Sequence, residues 1–210
     1  MPESIPNVQH AYDLAADEYA KKFLEELKHK PQDVEWLQQF ADSIDPAQTI
    51  LDLGCGPGHT TAHLASLGLN PTGIDLSPNM IGKAKTFFPD VSFETGDFFH
   101  LPYSNDSVAG ILAFYCIVHL QSDQLKTAFT EWLRVLTTGG RLFVGFHIGE
   151  ESVYVEKFLD TDANLEFSPF PVDTVQTALK RSGFKNLETH VRPPYEIEYP
   201  TTRCYIFAQK

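Results

Sequence analysis

The spacing of apolar residues changes along the chain, from a helical period near the start to short continuous runs later. Over residues 7–29, apolar side chains recur every three or four positions, which is the period of one helix face. The same period returns between Val34 and Ile44. These patterns predict two helices, separated at Pro31 and ended near Asp45-Pro46.

After residue 48, short apolar runs alternate with segments of helical period. Runs of Val, Ile and Leu predict buried strands, and glycines that follow the helical segments predict where the helices end. The predicted strands are 49–53, 71–75, 91–94, 108–115, 141–146, 185–192 and 203–208. The predicted helices are 59–66, one that starts at Ser77-Pro78, one capped by Ser122, a short one within 153–160, and 174–182; residues 164–171 are predicted to be irregular.

This order of elements predicts an α/β fold with a sheet of seven strands, mostly parallel, and helices on both faces. The last two strands have no helix between them, so they are expected to form an antiparallel C-terminal hairpin at the edge of the sheet. We interpret residues 1–210 as a single domain. Its parts are an N-terminal helical cap (1–46), a cofactor-binding core (47–147), and a region (148–210) with a substrate-side insertion, the last helix and the hairpin.

Composition and charge narrow the classes of partner. Hydrophobic residues make up 42% of the 210 residues, which is enough for a core without disulfides or metals. Sixteen basic and 28 acidic residues give a net charge of −12, so a nucleic-acid partner is not expected. The longest apolar run, Ile111–Leu120, is too short to cross a membrane, and Met1–Ser4 does not look like a signal segment.

Cysteine usage points to a reducing compartment. Cys55, Cys116 and Cys204 are an odd number, and they fall on predicted strands and on a glycine-rich turn. Such a set does not resemble a disulfide framework, so a cytoplasmic location is expected.

The segment Asp52–Gly58 carries the first chemical signal. A buried strand leads directly into glycines at positions 54, 56 and 58, ahead of a predicted helix. Glycine has no Cβ to hold a ligand away from the main chain, and the start of a helix offers unpaired N–H groups. The turn therefore predicts a nucleotide-type binding site beyond the carboxyl end of the first strand.

Four further motifs follow this turn in a fixed order. They are Gly73–Ser77, Gly96–Phe98, Phe114–Leu120, and Leu133–Leu136 followed by Gly139-Gly140. The ordered set resembles the class I S-adenosylmethionine-dependent methyltransferases, in particular the small-molecule group around the ubiquinone/menaquinone-biosynthesis type. The resemblance is strong over residues 48–147, and it implies a Rossmann-like fold with S-adenosyl-L-methionine as the cofactor.

By this resemblance, specific side chains would bind each part of the cofactor. Asp75 would accept hydrogen bonds from both ribose hydroxyls, and Asp97 would accept one from the adenine amine. Asp52 would serve the amino-acid end of the cofactor. The other residues expected at the cofactor are Gly54, Cys55, Gly56, Pro57, Gly58, Leu76, Met80, Gly96 and Phe98, with Tyr12 and Tyr19 of the first helix as part of a lid.

Several of these residues have a purely structural alternative. Asp52 could brace the glycine turn, and Met80 could be an ordinary core residue. Tyr12 and Tyr19 are seven residues apart, so they could equally form an aromatic stripe facing the core.

Catalytic residues are harder to predict, because displacement at a sulfonium methyl group needs alignment and exclusion of water more than a metal or a covalent intermediate. His119 follows the fourth strand and is the candidate base, with a structural role as the alternative. Tyr115 is the candidate wall of the methyl pocket. His59 and His63 have zinc-pair spacing, but no third ligand is evident and no metal is expected.

The acceptor is expected to be a small molecule, apolar or aromatic in character, while the acceptor atom and the oligomeric state stay open. Arg192 or Arg203 could recognise a carboxylate on it, or could pair with Glu196 or Glu198. Two other functions fit the pattern less well. A nicotinamide-dependent oxidoreductase would prefer a glycine inside the helix after the turn, and a non-catalytic relative would be expected to have a damaged turn.

Overall fold

A computed structural model describes residues 8–210. Residues 1–7, which include the predicted helix start at Asn7 and the segment Met1–Ser4, lie outside the described residues. The helices are α1 (Val8–Phe23), α2 (Pro31–Asp42), α3 (His59–Ser66), α4 (Pro78–Phe87), α5 (Ser122–Val135) and α6 (Val172–Ser182). The strands are β1 (Thr49–Leu53), β2 (Asn70–Asp75), β3 (Ser92–Thr95), β4 (Val108–Phe114), β5 (Leu136–His147), β6 (Val153–Val155), β7 (Leu165–Phe167), β8 (Lys185–Arg192) and β9 (Arg203–Gln209).

Within residues 8–210, the main sheet has seven strands in the order β3-β2-β1-β4-β5-β9-β8. The strands β1 to β5 pair in parallel, while β9 pairs antiparallel with both β5 and β8. This confirms the predicted α/β fold and its C-terminal edge hairpin. Strand order reverses between β1 and β4, which is where ligands bind in open sheets of this kind.

Side chains alternate between the two faces of the sheet and build a core on each. On one face, Ile50, Leu112 and Phe143 pack against Leu37 and Phe40 of α2. On the other face, the neighbouring strand residues pack against α5 and α6, where Trp132, Phe129 and Leu179 are fully buried. Because helices cover both faces of the sheet, a ligand can reach the strands only at their ends.

Three local predictions were wrong. The residues at 153–160 form β6 and a short 3-10 turn instead of a helix, and the segment predicted to be irregular contains β7. The strands β6 and β7 pair as a small hairpin. The first helix ends at Phe23, and a separate 3-10 turn spans Glu26–His29.

The hairpin of β6 and β7 is stabilised by apolar contacts with α1. Leu165 and Phe158 form a separate apolar cluster with Ala11 and Ala15 of α1. This partner is about 150 residues away in sequence, so local periodicity carries no sign of it. At the start of α5, Gln121 and not Ser122 is the N-cap, in a reciprocal capping box with Gln124.

A buried group of charged residues joins the start of α2 to the C-terminal hairpin; we call it the Arg192 cluster (Lys30, Asp33, Arg192, Glu198 and Arg203). The guanidinium of Arg192 donates to both oxygens of Asp33 at 2.9 and 2.6 Å and to both oxygens of Glu198 at 2.7 and 3.0 Å. Lys30 Nζ lies 3.0 Å from Glu198. Arg192 and Arg203 both pair with Glu198, which is the structural role that the sequence left open for them. Through Asp33, the cluster attaches α2 to the C-terminal hairpin.

Removal of one acid from the Arg192 cluster is expected to destabilise the protein strongly. The side chain of Asp33 is 0% exposed, so Asp33→Ala leaves a buried guanidinium without part of its counter-charge. We expect the free energy of unfolding in urea to fall by about 3–5 kcal/mol. Glu18→Ala, which removes an exposed partner of Lys21, should cause no measurable change. Equal effects of the two variants would contradict a structural role for the cluster.

Candidate active site

The turn after β1 keeps side chains away from its main chain. The N–H groups of Gly54 and Cys55 both donate to the carbonyl oxygen of Ile74, at 2.7 and 3.1 Å. Gly54 has φ +67°, and a Cβ atom there would lie 2.4 Å from the Cβ of Cys116. A side chain at position 54 would therefore push the turn away from the end of β4.

Asp75, at the end of β2, holds this turn from the other side. Its two carboxylate oxygens accept the N–H groups of Gly56 and Ser77, each at 2.9 Å. Burial raises the pKa of Asp75 to about 6, even though both hydrogen bonds favour the charged form. Each carboxylate oxygen has more than one lone pair, so both can still accept a hydroxyl from a ligand.

Helix α1 lies against the start of α4 through one acid. The carboxylate of Asp13 accepts from the hydroxyl of Ser77 and from the N–H of Asn79, the latter at 3.1 Å. The hydroxyl of Ser77 in turn accepts the N–H of Met80 and caps α4 as predicted. Asp13 thereby fixes α1 next to the residues that follow Asp75.

A cavity of about 930 Å³ opens at this edge of the sheet. It brings together most of the predicted site residues, which come from α1, the glycine turn and the ends of β2, β3 and β4. Those that line it are Tyr12, Tyr19, Gly54, Cys55, Gly56, Asp75, Leu76, Gly96, Asp97, Phe98, Tyr115 and His119. Asp52, Pro57, Gly58 and Met80 are not part of its wall.

The predicted site residues that do not line the cavity stabilise the elements that form its wall. Oδ2 of Asp52 accepts the hydroxyls of Thr60 and Thr61, both at 2.6 Å, so this acid ties β1 to the first turn of α3. Burial raises the pKa of Asp52 to about 6, against the effect of those two hydrogen bonds. Met80 is fully buried, and a Cβ at Gly58 would collide with Phe93.

His119 has both ring nitrogens engaged within the protein. Its Nδ1 lies 2.8 Å from the carbonyl oxygen of Glu166, which can only accept, so Nδ1 carries the proton. Its Nε2 therefore accepts the hydroxyl of Tyr12, also at 2.8 Å. Burial lowers the pKa of His119 to about 4 and raises the pKa of Tyr12 well above its ordinary value. The pair is neutral at pH 7.

Tyr115 contributes its ring to the wall, while its hydroxyl is used elsewhere. Its backbone has φ +60°, an uncommon value for a residue with a side chain. The hydroxyl is hydrogen-bonded to the hydroxyl of Tyr205, and burial raises the pKa of Tyr115 far above its ordinary value. The ring also lies 5.5 Å from Nζ of Lys30, which places it against the Arg192 cluster.

Several wall residues were not predicted from the sequence. His59 and Glu26 line the cavity together, with His59 Nε2 3.0 Å from the carboxylate of Glu26. Lys30 lies on the far side of Glu26, at 2.7 Å. Glu166 and Asn164 reach the wall from the small hairpin region. These contacts join segments that are distant in the sequence, so no local pattern of residues indicates them.

The described part of the chain contains neither a metal-binding cluster nor a membrane-spanning helix. Residues 8–210 contain no group of three or more His, Cys, Asp or Glu side chains placed to hold a metal ion. No helix among them is both long and apolar enough to span a membrane.

Comparisons with known proteins match this arrangement. Residues 50–140 match a family model described as a methyltransferase domain. The chain is 29% identical over 157 residues to an arsenite methyltransferase of Halobacterium salinarum, a match that covers 70% of this chain and 39% of that protein. It is 30% identical over 111 residues to a demethylmenaquinone methyltransferase of Renibacterium salmoninarum, covering 52% and 46%. The matches thus span about half the length of these relatives or less.

A solved structure shows the same fold. Phosphoethanolamine N-methyltransferase 2 of Haemonchus contortus, in complex with S-adenosyl-L-methionine, superposes with a TM-score of 0.73 at 17% identity. The match covers 94% of this chain and 57% of that one. Together with the matched domain and the relatives, this favours a methyltransferase over the oxidoreductase alternative. Residues 50–140 match a methyltransferase domain, and the chain has the fold of S-adenosylmethionine-dependent methyltransferases of known structure.

Proposed function

We propose that this protein transfers a methyl group from S-adenosyl-L-methionine to a small-molecule acceptor. One observation carries the proposal: the bare glycine turn, the carboxylate of Asp75 and the ends of β3 and β4 meet in a single cavity of about 930 Å³. That volume is in the range of small-molecule sites. It is also lined by carboxylates, which favour a positively charged sulfonium.

The residues present fit this cofactor. Asp75 binds the ribose hydroxyls with the lone pairs that its backbone contacts leave free. Asp97, Phe98 and Leu76 bind the adenine, and the main chain of Gly54–Gly56 takes the amino-acid end. Asp52, Pro57, Gly58 and Met80 contribute indirectly, because they shape the turn and the packing behind it.

The rest of the wall holds the acceptor and keeps water out. When bound, the cofactor supplies an electrophilic methyl group whose leaving group needs no metal. Tyr12 and Tyr19 close the site from α1, and Tyr115 forms the wall at the end of β4. In this proposal residues 1–46 act as the cap, 47–147 bind the cofactor, and 148–210 complete the acceptor side.

His119 is a positioning residue in this scheme. Its Nδ1–H is held by Glu166 and its Nε2 holds the hydroxyl of Tyr12, so it fixes one wall of the cavity. The acceptor is a small molecule and not a nucleic acid, in keeping with the net charge of −12. A cytoplasmic setting stays a prediction, supported by the three unpaired cysteines.

Calorimetry with S-adenosyl-L-homocysteine tests the proposal directly. We expect binding of one molecule per chain, and no binding of the oxidised nicotinamide dinucleotide under the same conditions. The methyl donor should then be consumed when an acceptor is present, with the demethylated product detected by mass spectrometry. A protein that binds neither the donor nor its product would overturn the proposed function.

Asp75→Asn is expected to weaken binding of S-adenosyl-L-homocysteine by about tenfold to a hundredfold. The change removes the charge from hydrogen bonds to the ribose hydroxyls, and charged hydrogen bonds contribute roughly 1.5–3 kcal/mol. Calorimetric titration measures the change. Asp90→Asn, an exposed acid that does not line the cavity, is the matched control and should bind like the parent protein.

The pH dependence of binding supplies a second readout for Asp75. Its pKa of about 6 means that the carboxylate gains a proton as the pH falls below 6. We expect affinity to be constant above pH 7, to fall as the pH drops through 6, and to level off at the tenfold to hundredfold loss expected for Asp75→Asn. In Asp75→Asn this slope should disappear. A slope that persists would assign it to another group, such as Asp52.

Tyr12→Phe is expected to loosen α1 without removing the cofactor site. The variant loses the hydrogen bond to His119 and keeps the ring. Loss of about 1 kcal/mol of local stability should speed amide hydrogen exchange in residues 8–23 about fivefold. Affinity for S-adenosyl-L-homocysteine should change less than about threefold, since no ligand contact of Tyr12 depends on its hydroxyl here.

Tyr199→Phe is the control for this experiment, because Tyr199 is 63% exposed and does not line the cavity. It should leave exchange in α1 unchanged. If Tyr12→Phe also leaves it unchanged, the contact with His119 does not hold the lid.

A further inference from the structure

The charges around the cavity are unbalanced. Among the described residues, its wall contains four acidic residues, Glu26, Asp75, Asp97 and Glu166, and no lysine or arginine. Lys30 is close by, but it lies behind Glu26 and is not part of the wall. An acceptor with a carboxylate or phosphate would lose its water shell there without gaining a cation. The acceptor group is therefore uncharged or positively charged.

Neither of the two histidines in the wall, His59 and His119, offers an accessible free nitrogen to remove a proton. Both nitrogens of His119 are occupied, by Tyr12 and by the carbonyl of Glu166. Nε2 of His59 lies 3.0 Å from the carboxylate of Glu26, and its Nδ1 has no hydrogen-bond partner but is buried out of reach of a ligand. An alcohol or phenol usually needs such a base before it attacks carbon, whereas an uncharged amine attacks with its own lone pair.

Glu166 is placed to stabilise a positive charge. It lies in β7, opposite Tyr154 of β6, and both residues line the cavity next to His119. None of the ion pairs found within residues 8–210 involves Glu166. Its carboxylate therefore has no counter-charge of its own among these residues.

We propose that the methyl acceptor is an amine on an apolar or aromatic skeleton, and that Glu166 selects it by balancing the positive charge on nitrogen. The inference rests on the proposed methyl transfer. An acceptor that binds as an ammonium ion first gives one proton to water. The nitrogen lone pair freed in this way forms the new bond to the methyl carbon, and the carbon–sulfur bond breaks with its electrons left on sulfur. The positive charge thus passes from sulfur to nitrogen. The ammonium product then loses a proton to water.

Three matched pairs of ligands test the charge preference. They are 2-phenylethylamine with 3-phenylpropanoate, tryptamine with indole-3-propanoate, and decylamine with undecanoate. Calorimetry on the protein saturated with S-adenosyl-L-homocysteine should show at least one amine binding about tenfold more tightly than its acid, as a partly buried ion pair allows. With the methyl donor, that amine should give an N-methyl product, while 4-ethylphenol should give none.

Glu166→Gln should reduce the amine preference about tenfold, while its affinity for S-adenosyl-L-homocysteine and its melting temperature stay close to those of the parent protein. Glu156→Gln is the matched control, since Glu156 is exposed near the same hairpin and does not line the cavity. It should keep the full preference.

The outcomes separate this inference from the proposed function. If S-adenosyl-L-homocysteine does not bind, the proposed function fails. If it binds but no amine is preferred over its acid, or if the phenol is methylated instead, the acceptor class proposed here is wrong. If the Glu166→Gln variant still prefers the amine over its acid, Glu166 does not select the acceptor.

Discussion

The hydrogen bonds that hold the turn after β1 are the constraint on which the site depends. The turn must expose its main chain, yet it must also stay in one conformation. Ile74 meets the second need by accepting two N–H groups of the turn, and Asp75 does so by accepting a third. Both residues end β2, so the strand that positions the ribose acid also positions the turn. Burial makes this arrangement costly for the carboxylate, which is why its pKa is raised.

The cap is attached to this centre at two separate places. Asp13 joins α1 to the start of α4, next to Asp75, and Tyr12 joins it to His119 at the end of β4. Further along, the Arg192 cluster joins α2 to the C-terminal hairpin. Glu26 connects the two regions, because it lines the cavity and also pairs with Lys30. The acceptor side is thus built from segments at both ends of the chain.

Electrostatics then decides what such a cavity can accept. Its carboxylates favour the sulfonium, and the same field acts on the second substrate. A fold of this kind hosts several activities, so the acceptor must be argued from the wall and not from the architecture. The wall combines aromatic rings, an occupied His119 and the unpaired Glu166. That combination is the basis for proposing a nitrogen nucleophile and not an acid.

The sequence by itself determined the sheet, the glycine turn and the positions of Asp75 and Asp97, because these depend on local periodicity and on motifs at strand ends. Tertiary structure alone decided three matters. Residues 153–155 became a strand because they pair with β7, whose Leu165 packs on α1. Asp52 accepts the hydroxyls of Thr60 and Thr61 and does not line the cavity. His119 lost its free nitrogen to Tyr12, a residue 107 positions away. Each outcome depends on a contact between distant segments, and the pattern of residues along a chain does not record such contacts.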